Sequence, residues 1–224
     1  MSAFLFACPA PSSRDELPFE QWLGDVPEPK RTRIRQQKNT QAAITQLCSD
    51  RLLAYALFMC RGLDARELER QDEPGGKPSF VDPRAPHFSL SHSGRFALCA
   101  LADSPIGADV ERIRPIKDEV ARRVLSDLEY REYLASKDPE QYFFWLWVLK
   151  ESYLKLTGAG LSGGLKEACF SLSDFEKPRF TLPGYFFQLY RLDKDYQASA
   201  CIQNGTLPHD VTIVKTHQLA TIFS

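Results

Sequence analysis

Residues 106–111 read Ile-Gly-Ala-Asp-Val-Glu, and this alternation constrains the fold more than any other segment. A period of two is typical of a half-buried β-strand, whose successive side chains point to opposite faces of the sheet. The three apolar side chains are therefore expected to face a core, whereas Gly107, Asp109 and Glu111 share the opposite face. Two carboxylates on one face repel each other unless a positive charge lies close to both. The strand thus predicts a neighbouring cation.

Residues 139–157 are predicted to form a helix that is apolar nearly all the way round, and such a helix is typically buried. Asp138 followed by Pro139 is typical of a helix N-terminus, and Gly158 is placed to end the helix. Glu151 and Lys155 lie one turn apart on the same face. A buried helix is therefore expected to present a carboxylate and an ammonium group together.

Taken alone, each carboxylate has an ordinary explanation. Asp109 and Glu111 suit the solvated face of an edge strand, and Glu151 suits a surface ion pair with Lys155. Gly107 argues against this explanation, because glycine in a strand permits another backbone to approach closely. If the helix brings Glu151 to the strand, three carboxylates form an all-oxygen site suited to Mg²⁺ or Mn²⁺, with room for phosphate oxygens.

Positive charge that suits a phosphate-bearing ligand occurs on two predicted helices. Lys150 adjoins the helix carboxylate and adds to the charge of Lys155. Residues 30–38 carry five basic side chains, among them Lys30 and Arg33. Most such runs are solvated faces, although a bound phosphomonoester would give this one a purpose.

Two turns are weaker candidates for the same ligand. Lys77 and Pro78 belong to a Gly-Gly-Lys-Pro turn that lacks the spacing of a P-loop. Ser91 and His92 open a predicted compact polar turn at residues 91–94, whose donors suit an anion. A lone histidine is more often structural than functional, so position alone does not select His92.

Composition limits the class of protein. A chain of 224 residues with 43% hydrophobic content buries a substantial core, as one larger domain or two small lobes. The net charge of −1 gives no global reason to expect nucleic acid or an anionic membrane as a partner. The six scattered cysteines form no metal-type spacing and suit free thiols in a reducing cytosol. The N-terminus does not resemble a secretory signal and reads as a first short strand, and no apolar run approaches the ~20 residues of a membrane span. We therefore expect a cytoplasmic protein.

The remaining pattern indicates mixed helices and strands. Residues 27–61 read as helix in two pieces, ended by Gly62. Residues 95–102 read as a strand that pairs with residues 106–111 as a hairpin. From residue 168 onward the apolar alternation favours short antiparallel strands, which residues 198–202 and 211–214 continue. The order of elements is similar in the two halves, which indicates two α+β lobes.

Four motifs occur in order: Gly-Lys-Pro at residues 76–78, Phe-Ser-Leu-Ser-His-Ser at 88–93, the carboxylate strand at 106–111 and Trp-Val-Leu-Lys-Glu-Ser-Tyr-Leu-Lys at 147–155. Together they closely resemble the Sfp-type 4'-phosphopantetheinyl transferases. The resemblance covers residues 30–161 well and the rest loosely. It implies an α+β fold of two pseudo-twofold lobes, residues 1–104 and 105–224, with a cleft for coenzyme A between them. The helical tryptophan and the chain length resemble the monomeric type rather than the short trimeric one.

The resemblance also implies a reaction and a set of roles. Such enzymes transfer the phosphopantetheine arm of coenzyme A to a serine hydroxyl of an acyl, peptidyl or aryl carrier protein, and 3',5'-ADP leaves. Asp109, Glu111 and Glu151 would hold Mg²⁺ on the diphosphate, and Glu151 would also help to deprotonate the serine. Lys155 would bind the diphosphate. The 3'-phosphate and adenosine end would contact Lys30, Arg33, Lys77, Pro78, Ser91 and His92.

Some features remain open at this stage. The family commonly has a further basic residue where this chain has Thr45 and Gln46, which leaves one 3'-phosphate contact undefined. A basic segment follows the carboxylate strand and is a candidate for docking an acidic carrier, although a solvated helix face explains it as well; it comprises Arg112, Arg114, Lys117, Arg122 and Arg123. The alternatives to the transferase are a metal-dependent phosphodiesterase acting on coenzyme A or nucleotides, and a silent module that binds coenzyme A or a carrier.

Overall fold

The computed structural model describes residues 2–28, 30–73, 76–160, 164–172, 179–180 and 183–222. Its α-helices are α1 (Phe19–Gly24), α2 (Lys30–Gln36), α3 (Thr40–Arg61), α4 (Asp118–Val124), α5 (Asp127–Ala135), α6 (Pro139–Thr157) and α7 (Thr216–Ala220). Its strands are β1 (Phe4–Pro9), β2 (Arg70–Asp72), β3 (Pro78–Phe80), β4 (His87–Ser93), β5 (Phe96–Ala102), β6 (Ile106–Arg112), β7 (Phe170–Ser171), β8 (Arg179–Phe180), β9 (Phe186–Asp193), β10 (Tyr196–Ile202) and β11 (Thr212–Ile213). The predicted loop at residues 74–75 and parts of the predicted strand region after residue 168 lie outside the described residues.

The first sheet has the strand order β11-β1-β5-β4, and the long helix α3 covers one of its faces. Asn39 caps the N-terminus of α3, and Gly62 ends the helix in the left-handed conformation with a φ of 65°. Strand β5 is buried on both faces. Its alternate side chains contribute to two different cores, which is why its sequence is apolar throughout rather than alternating.

The second sheet has the antiparallel order β6-β10-β9, and α6 covers its outer face. The predicted core face of β6 is confirmed, since Ile106, Ala108 and Val110 are fully buried. They pack in one cluster with side chains of β1 and β5, so the two sheets lie face to face between α3 and α6. Each sheet is thus covered by one long helix, and the predicted α+β class is confirmed.

The predicted pairing of the strands needs two corrections. The hairpin of β5 with β6 is wrong, because β5 pairs with β1 and β4, whereas β6 pairs with β10. The short turn between β5 and β6 carries the chain from one sheet to the other instead of reversing it within a sheet. The strand expected near residue 212 forms as β11, but it runs parallel to β1 in the first sheet. C-terminal residues therefore complete the sheet of the first half, and the division at residue 104 stays a prediction.

The compact polar turn predicted at residues 91–94 is also wrong. Ser91 and His92 belong to β4, which continues to Ser93, and the turn begins at Gly94 with a φ of 52°. The polar side chains therefore alternate along a strand and point in two directions. In the described part of the chain, no helix has the length and hydropathy of a membrane span.

Candidate active site

Helix α6 forms where its end signals predicted it. The Asp138 side chain accepts a hydrogen bond from the backbone N–H of Gln141 at 3.0 Å, and Gly158 ends the helix with a φ of 71°. Most of the helix is buried, so its orientation is fixed by packing on all sides. Glu151 and Lys155 lie on the face that meets β6, as the spacing of four residues predicted.

Gly107 sets the distance between α6 and β6. A Cβ atom at this position would lie 1.9 Å from the carbonyl oxygen of Ser152 and 2.5 Å from the backbone nitrogen of Leu156. Only glycine permits this approach, which confirms the close contact that the sequence predicted at this residue. The contact places the helix carboxylate beside the strand carboxylates.

Asp109 is the most deeply buried acid of the site, with 4% of its surface exposed. Its Oδ1 atom accepts hydrogen bonds from the Ser91 hydroxyl and from the Lys155 ammonium group, each at 2.7 Å. Its Oδ2 atom is buried without a partner among the described residues. One oxygen of Asp109 is therefore fixed by two donors, and the second is available to a ligand.

Glu111 lies nearer to solvent on the same strand face. Its Oε2 atom accepts a hydrogen bond from the Ser93 hydroxyl at 2.7 Å and pairs with Arg114 at 3.1 Å. Each strand carboxylate thus has one hydroxyl donor and one cationic partner, and these contacts offset the repulsion between two carboxylates on one face.

Glu151 is the carboxylate whose environment is least favourable to charge. Burial and the charge of Asp109 together raise the pKa of Glu151 to about 7, against the opposing effect of Lys155. Its Oε1 atom is buried, and no described residue donates to it. A carboxylate with a pKa near neutrality can exchange a proton with a substrate under physiological conditions.

The three carboxylates line one cavity of about 320 Å³ together with Lys155, Ser91, His92 and Trp147. The three carboxylates do not converge on one point in the structure. Within the described ranges, no three carboxylate, imidazole or thiol groups lie close enough together to hold a metal ion. The unpartnered oxygens of Asp109 and Glu151 nevertheless provide hard donors on facing elements, and such donors fit a cation of the Mg²⁺ type.

Lys150 lies outside the site, and the expectation that its charge adds to that of Lys155 is wrong. Its side chain is fully buried and pairs with the equally buried Glu129 at 2.9 Å. The ammonium group also donates to the carbonyl oxygens of Leu165 and Ala168, and Glu129 accepts from the backbone of Phe170. Lys150 therefore anchors the segment after α6 to α5.

The predicted 3'-phosphate residues Lys30 and Arg33 lie at the opposite end of the cleft, on α2. They line a cavity of about 390 Å³, and Gln46 of α3 contributes to the same wall. Two residues that sequence reasoning missed shape this end. The buried carboxylate of Asp50 pairs with Lys30 and with Arg70, each at 2.8 Å. Asp50 and Arg70 are distant in sequence from any motif, so no local signal identified them.

Lys77 and Thr45, which the sequence also suggested near the ligand, make contacts within the protein. Lys77 is largely buried, and its ammonium group donates to the carbonyl oxygens of Leu156 at 3.0 Å and Ile106 at 3.4 Å. Burial lowers the pKa of Lys77. The Thr45 hydroxyl donates to backbone carbonyls of Gln41 and Gly94, so it ties α3 to the turn after β4.

His92 lies on β4 between the two ends of the cleft. Burial of the ring lowers the pKa of His92 below its ordinary value, and the nearby ammonium groups of Lys155 and Lys30 contribute to the same shift. The imidazole is therefore neutral near pH 7, and a ring nitrogen is available as a hydrogen-bond donor or acceptor.

A third cavity, of about 260 Å³, joins the two ends. It shares Pro78, Phe88 and Leu90 with the basic end, and it shares Glu151 and Lys155 with the acidic end. The cleft is therefore continuous, with the cations Lys30, Arg33 and Arg70 beside the acids Glu28 and Asp72 at one end, mainly apolar walls in the middle, and carboxylates with Lys155 at the other. This distribution suits an enzyme that holds a phosphate-bearing substrate along the cleft.

Comparison with known proteins identifies the family. The sequence model of the 4'-phosphopantetheinyl transferase superfamily matches residues 105–214. The chain is 32% identical to 4'-phosphopantetheinyl transferase Sfp of Bacillus subtilis, over 93% of this chain and 95% of that protein. It is 33% identical to 4'-phosphopantetheinyl transferase psf-1 of Bacillus pumilus, over 75% of each chain. It is 29% identical to L-aminoadipate-semialdehyde dehydrogenase-phosphopantetheinyl transferase of Saccharomyces cerevisiae, over 72% of this chain and 61% of that protein.

The chain belongs to the 4'-phosphopantetheinyl transferase superfamily. The family and the enzyme class that the four motifs predicted are therefore confirmed. Coenzyme A is the substrate that this family uses, and carrier proteins are the partners on which it acts.

Proposed function

We propose that this enzyme transfers the 4'-phosphopantetheine arm of coenzyme A to a serine hydroxyl of an acyl, peptidyl or aryl carrier protein and releases 3',5'-ADP. The observation that carries the proposal is the grouping of Asp109, Glu111, Glu151 and Lys155 at one end of a cleft whose other end is basic. We further propose that the enzyme acts as a cytoplasmic monomer without nucleic acid or membrane partners.

The basic end is assigned to the 3'-phosphate and adenosine of coenzyme A. Lys30 and Arg33 face this part of the cleft, and Pro78 and Leu90 supply apolar surface for the base. His92 contributes a neutral ring to the cleft wall, since its pKa is lowered. Lys77 and Ser91, whose polar groups already have protein partners, act through shape and backbone more than through charge.

The acidic end is assigned to the diphosphate and a divalent cation, Mg²⁺ or Mn²⁺. Asp109, Glu111 and Glu151 would hold the ion, because oxygen ligands suit it and two of the acids have buried oxygens without a partner among the described residues. When bound, such an ion offsets negative charge on the diphosphate oxygens. Lys155 adds a fixed positive charge on the same side.

Glu151 is the proposed proton acceptor. The serine oxygen of the carrier forms a bond with the phosphorus that bears the pantetheine arm, and the bond from this phosphorus to the oxygen of 3',5'-ADP breaks. The hydroxyl proton passes to Glu151, whose carboxylate lines the same cavity as Asp109, Glu111 and Lys155. Lys155 stabilises the charge that develops on the departing diphosphate oxygen. The remaining contribution of the protein is positioning, which dominates catalysis of phosphoryl-type transfer.

The test is intact-mass spectrometry of several apo carrier proteins incubated with the enzyme, coenzyme A and Mg²⁺, with an EDTA control. We expect a gain of one phosphopantetheine, about 340 Da, that depends on the metal. Consumption of coenzyme A without modification of any carrier would instead support the phosphodiesterase. Tight binding of coenzyme A without turnover would support the silent module.

Two variants test the assigned residues in the same assay. We expect Asp109→Ala and Glu151→Gln each to lower kcat by at least about a hundredfold while the circular dichroism spectrum is retained. Asp82→Asn, an exposed turn variant remote from the cleft walls, is the control. Near-normal turnover of either site variant would remove the metal and base assignments.

We propose the basic segment from Arg112 to Arg123 as the docking surface for an acidic carrier. Arg122 and Arg123 are exposed on α4, and the neighbouring α5 exposes the apolar side chains of Leu128 and Leu134. Charge reversal at Arg122 and Arg123 is expected to raise the carrier KM at low salt while the KM for coenzyme A is unchanged. An unchanged carrier KM would contradict the proposal.

A further inference from the structure

Strand β4 carries serine at every second position, and this repeat matches the carboxylate repeat of β6. Ser89, Ser91 and Ser93 all point from the edge of the first sheet to the edge of the second. The two strands belong to different sheets and share no backbone ladder in the described topology. Hydroxyl groups therefore make the contact that backbone groups make elsewhere in a sheet.

Each hydroxyl accepts one hydrogen bond from the backbone of β6. The donors are the N–H groups of Ala108 at 3.0 Å, Val110 at 3.3 Å and Arg112 at 3.1 Å. Strand β6 is an edge strand, and a buried backbone N–H without an acceptor is costly. The serines thus cover an open edge, which accounts for the alternation of small polar side chains on β4.

Each hydroxyl can then donate its single proton to one further acceptor. A serine hydroxyl has one proton, and an ionised carboxylate only accepts hydrogen bonds. Ser91 therefore donates to Asp109 and Ser93 donates to Glu111, each at 2.7 Å. Ser89 faces no carboxylate and contacts the carbonyl oxygen of Ala108 at 3.4 Å.

We propose that Ser93 is a positioning residue that fixes one oxygen of Glu111 and so orients this carboxylate toward a divalent cation. The inference rests on the proposed function, because it concerns the assigned metal site. Glu111 is less buried than Asp109, and its other partner in the described structure is the exposed Arg114. The Ser93 hydroxyl accepts a hydrogen bond from the backbone of β6 and donates one to Glu111. It therefore holds the carboxylate more rigidly than the solvated guanidinium of Arg114 does.

The experiment measures the affinity of the enzyme for Mn²⁺ in the absence of coenzyme A, by electron paramagnetic resonance of the free ion. Ser93→Ala is expected to weaken Mn²⁺ binding about tenfold, the usual effect of removing a partner of a metal ligand. Ser93→Thr keeps the hydroxyl and is expected to restore affinity close to that of the wild type. Ser89→Ala is the matched control, since it removes a hydroxyl of the same seam that faces no carboxylate.

The outcomes separate this inference from the proposed function. Ser89→Ala is expected to lower the melting temperature and leave Mn²⁺ affinity unchanged, whereas a purely structural seam would give both alanine variants the same affinity. If Ser89→Ala does not fold, the comparison of Ser93→Ala with Ser93→Thr decides alone. Equal affinity of these two variants would overturn the role of Ser93. Failure of the wild-type enzyme to bind Mn²⁺ would overturn the metal assignment itself, and the role of Ser93 with it.

Discussion

Alanine at position 107 is the substitution that most directly tests how the site is assembled. In the structure, the added Cβ would lie 1.9 Å from the carbonyl oxygen of Ser152 and 3.0 Å from the Cβ of Leu156. Both neighbours belong to α6, and one is backbone, so no flexible side chain can give way. The helix must move away from β6.

The size of the effect follows from that distance. Relief of the overlap requires α6 to move by about 1 Å or more, since Cβ contacts below 3.0 Å are essentially never found. Such overpacking costs roughly 1–3 kcal/mol of the free energy of unfolding. The same movement carries Glu151 and Lys155 away from Asp109, and a displacement of about 1 Å lowers turnover on the order of a hundredfold.

The assay combines urea denaturation with steady-state transfer of phosphopantetheine to one carrier protein at saturating coenzyme A. Gly107→Ala is expected to lower kcat much more than its stability loss explains at a temperature where the variant is fully folded. Gly24→Ala is the matched control, because its φ is ordinary and its Cβ would meet nothing within 4 Å. A Gly107→Ala enzyme with wild-type stability and turnover would refute the reasoning.

Two further predictions concern buried charge. Because burial raises the pKa of Glu151 to about 7, its ionisation lowers the stability of the metal-free enzyme as the pH rises from about 4.5 through 7. In urea titrations with EDTA, the free energy of unfolding of Glu151→Gln is therefore expected to exceed that of the wild type by roughly 1–2 kcal/mol at pH 8 and to equal it near pH 4. Equal stability of the two proteins at pH 8 would contradict this prediction. Lys150→Met leaves the buried carboxylate of Glu129 without its cation and is expected to cost about 3–5 kcal/mol. Arg35→Met breaks an exposed pair and should not move the denaturation midpoint, whereas equal effects of the two variants would show that the buried pair is not special.

Local signals were sufficient for the elements that carry the acids. Capping residues and glycine end signals predicted the bounds of α6, and the period of two predicted the buried face of β6. These features depend on neighbours in sequence, so a single chain reveals them. The four motifs added the family, which the relatives confirm.

Helical geometry already indicates that Lys150 and Lys155 do not share a face of α6. Lys155 lies five positions after Lys150, and about 100° of rotation per residue places their side chains on nearly opposite faces of the helix. A lysine on the core side of a buried helix needs a carboxylate partner, and the structure supplies Glu129, which also closes a capping box with Ser126 at the start of α5. The pairing itself joins residues of different helices and is not visible in sequence.

The pairing of the strands could not be predicted from local sequence patterns, for a different reason. A short turn after β5 is compatible with a hairpin and with a crossing to a second sheet, because the backbone is similar in both. The choice depends on how the apolar faces of both strands pack, and in the structure they meet in one buried cluster between the two sheets. The serines of β4 were interpreted as a turn for a related reason. Their acceptors and donors lie on β6, about 19 residues further along the chain.

The three carboxylates of the site differ in how they are held in place. Asp109 and Glu111 each have a hydroxyl donor and a cation, and both are fixed to the seam between β4 and β6. Glu151 has the raised pKa and comes from the helix. Its position relative to the other two is therefore set by the packing of α6 on β6 and by the contact of Lys155, on the same helix, with Asp109. Because a Cβ atom at position 107 does not fit, a displacement of α6 there would move the proposed proton acceptor and also Lys155, the cationic partner of Asp109, whereas the hydroxyls of Ser91 and Ser93 would stay with the strand carboxylates. Gly107→Ala should accordingly lower turnover more strongly than it lowers the affinity for coenzyme A, whose proposed 3'-phosphate subsite lies at the far end of the cleft.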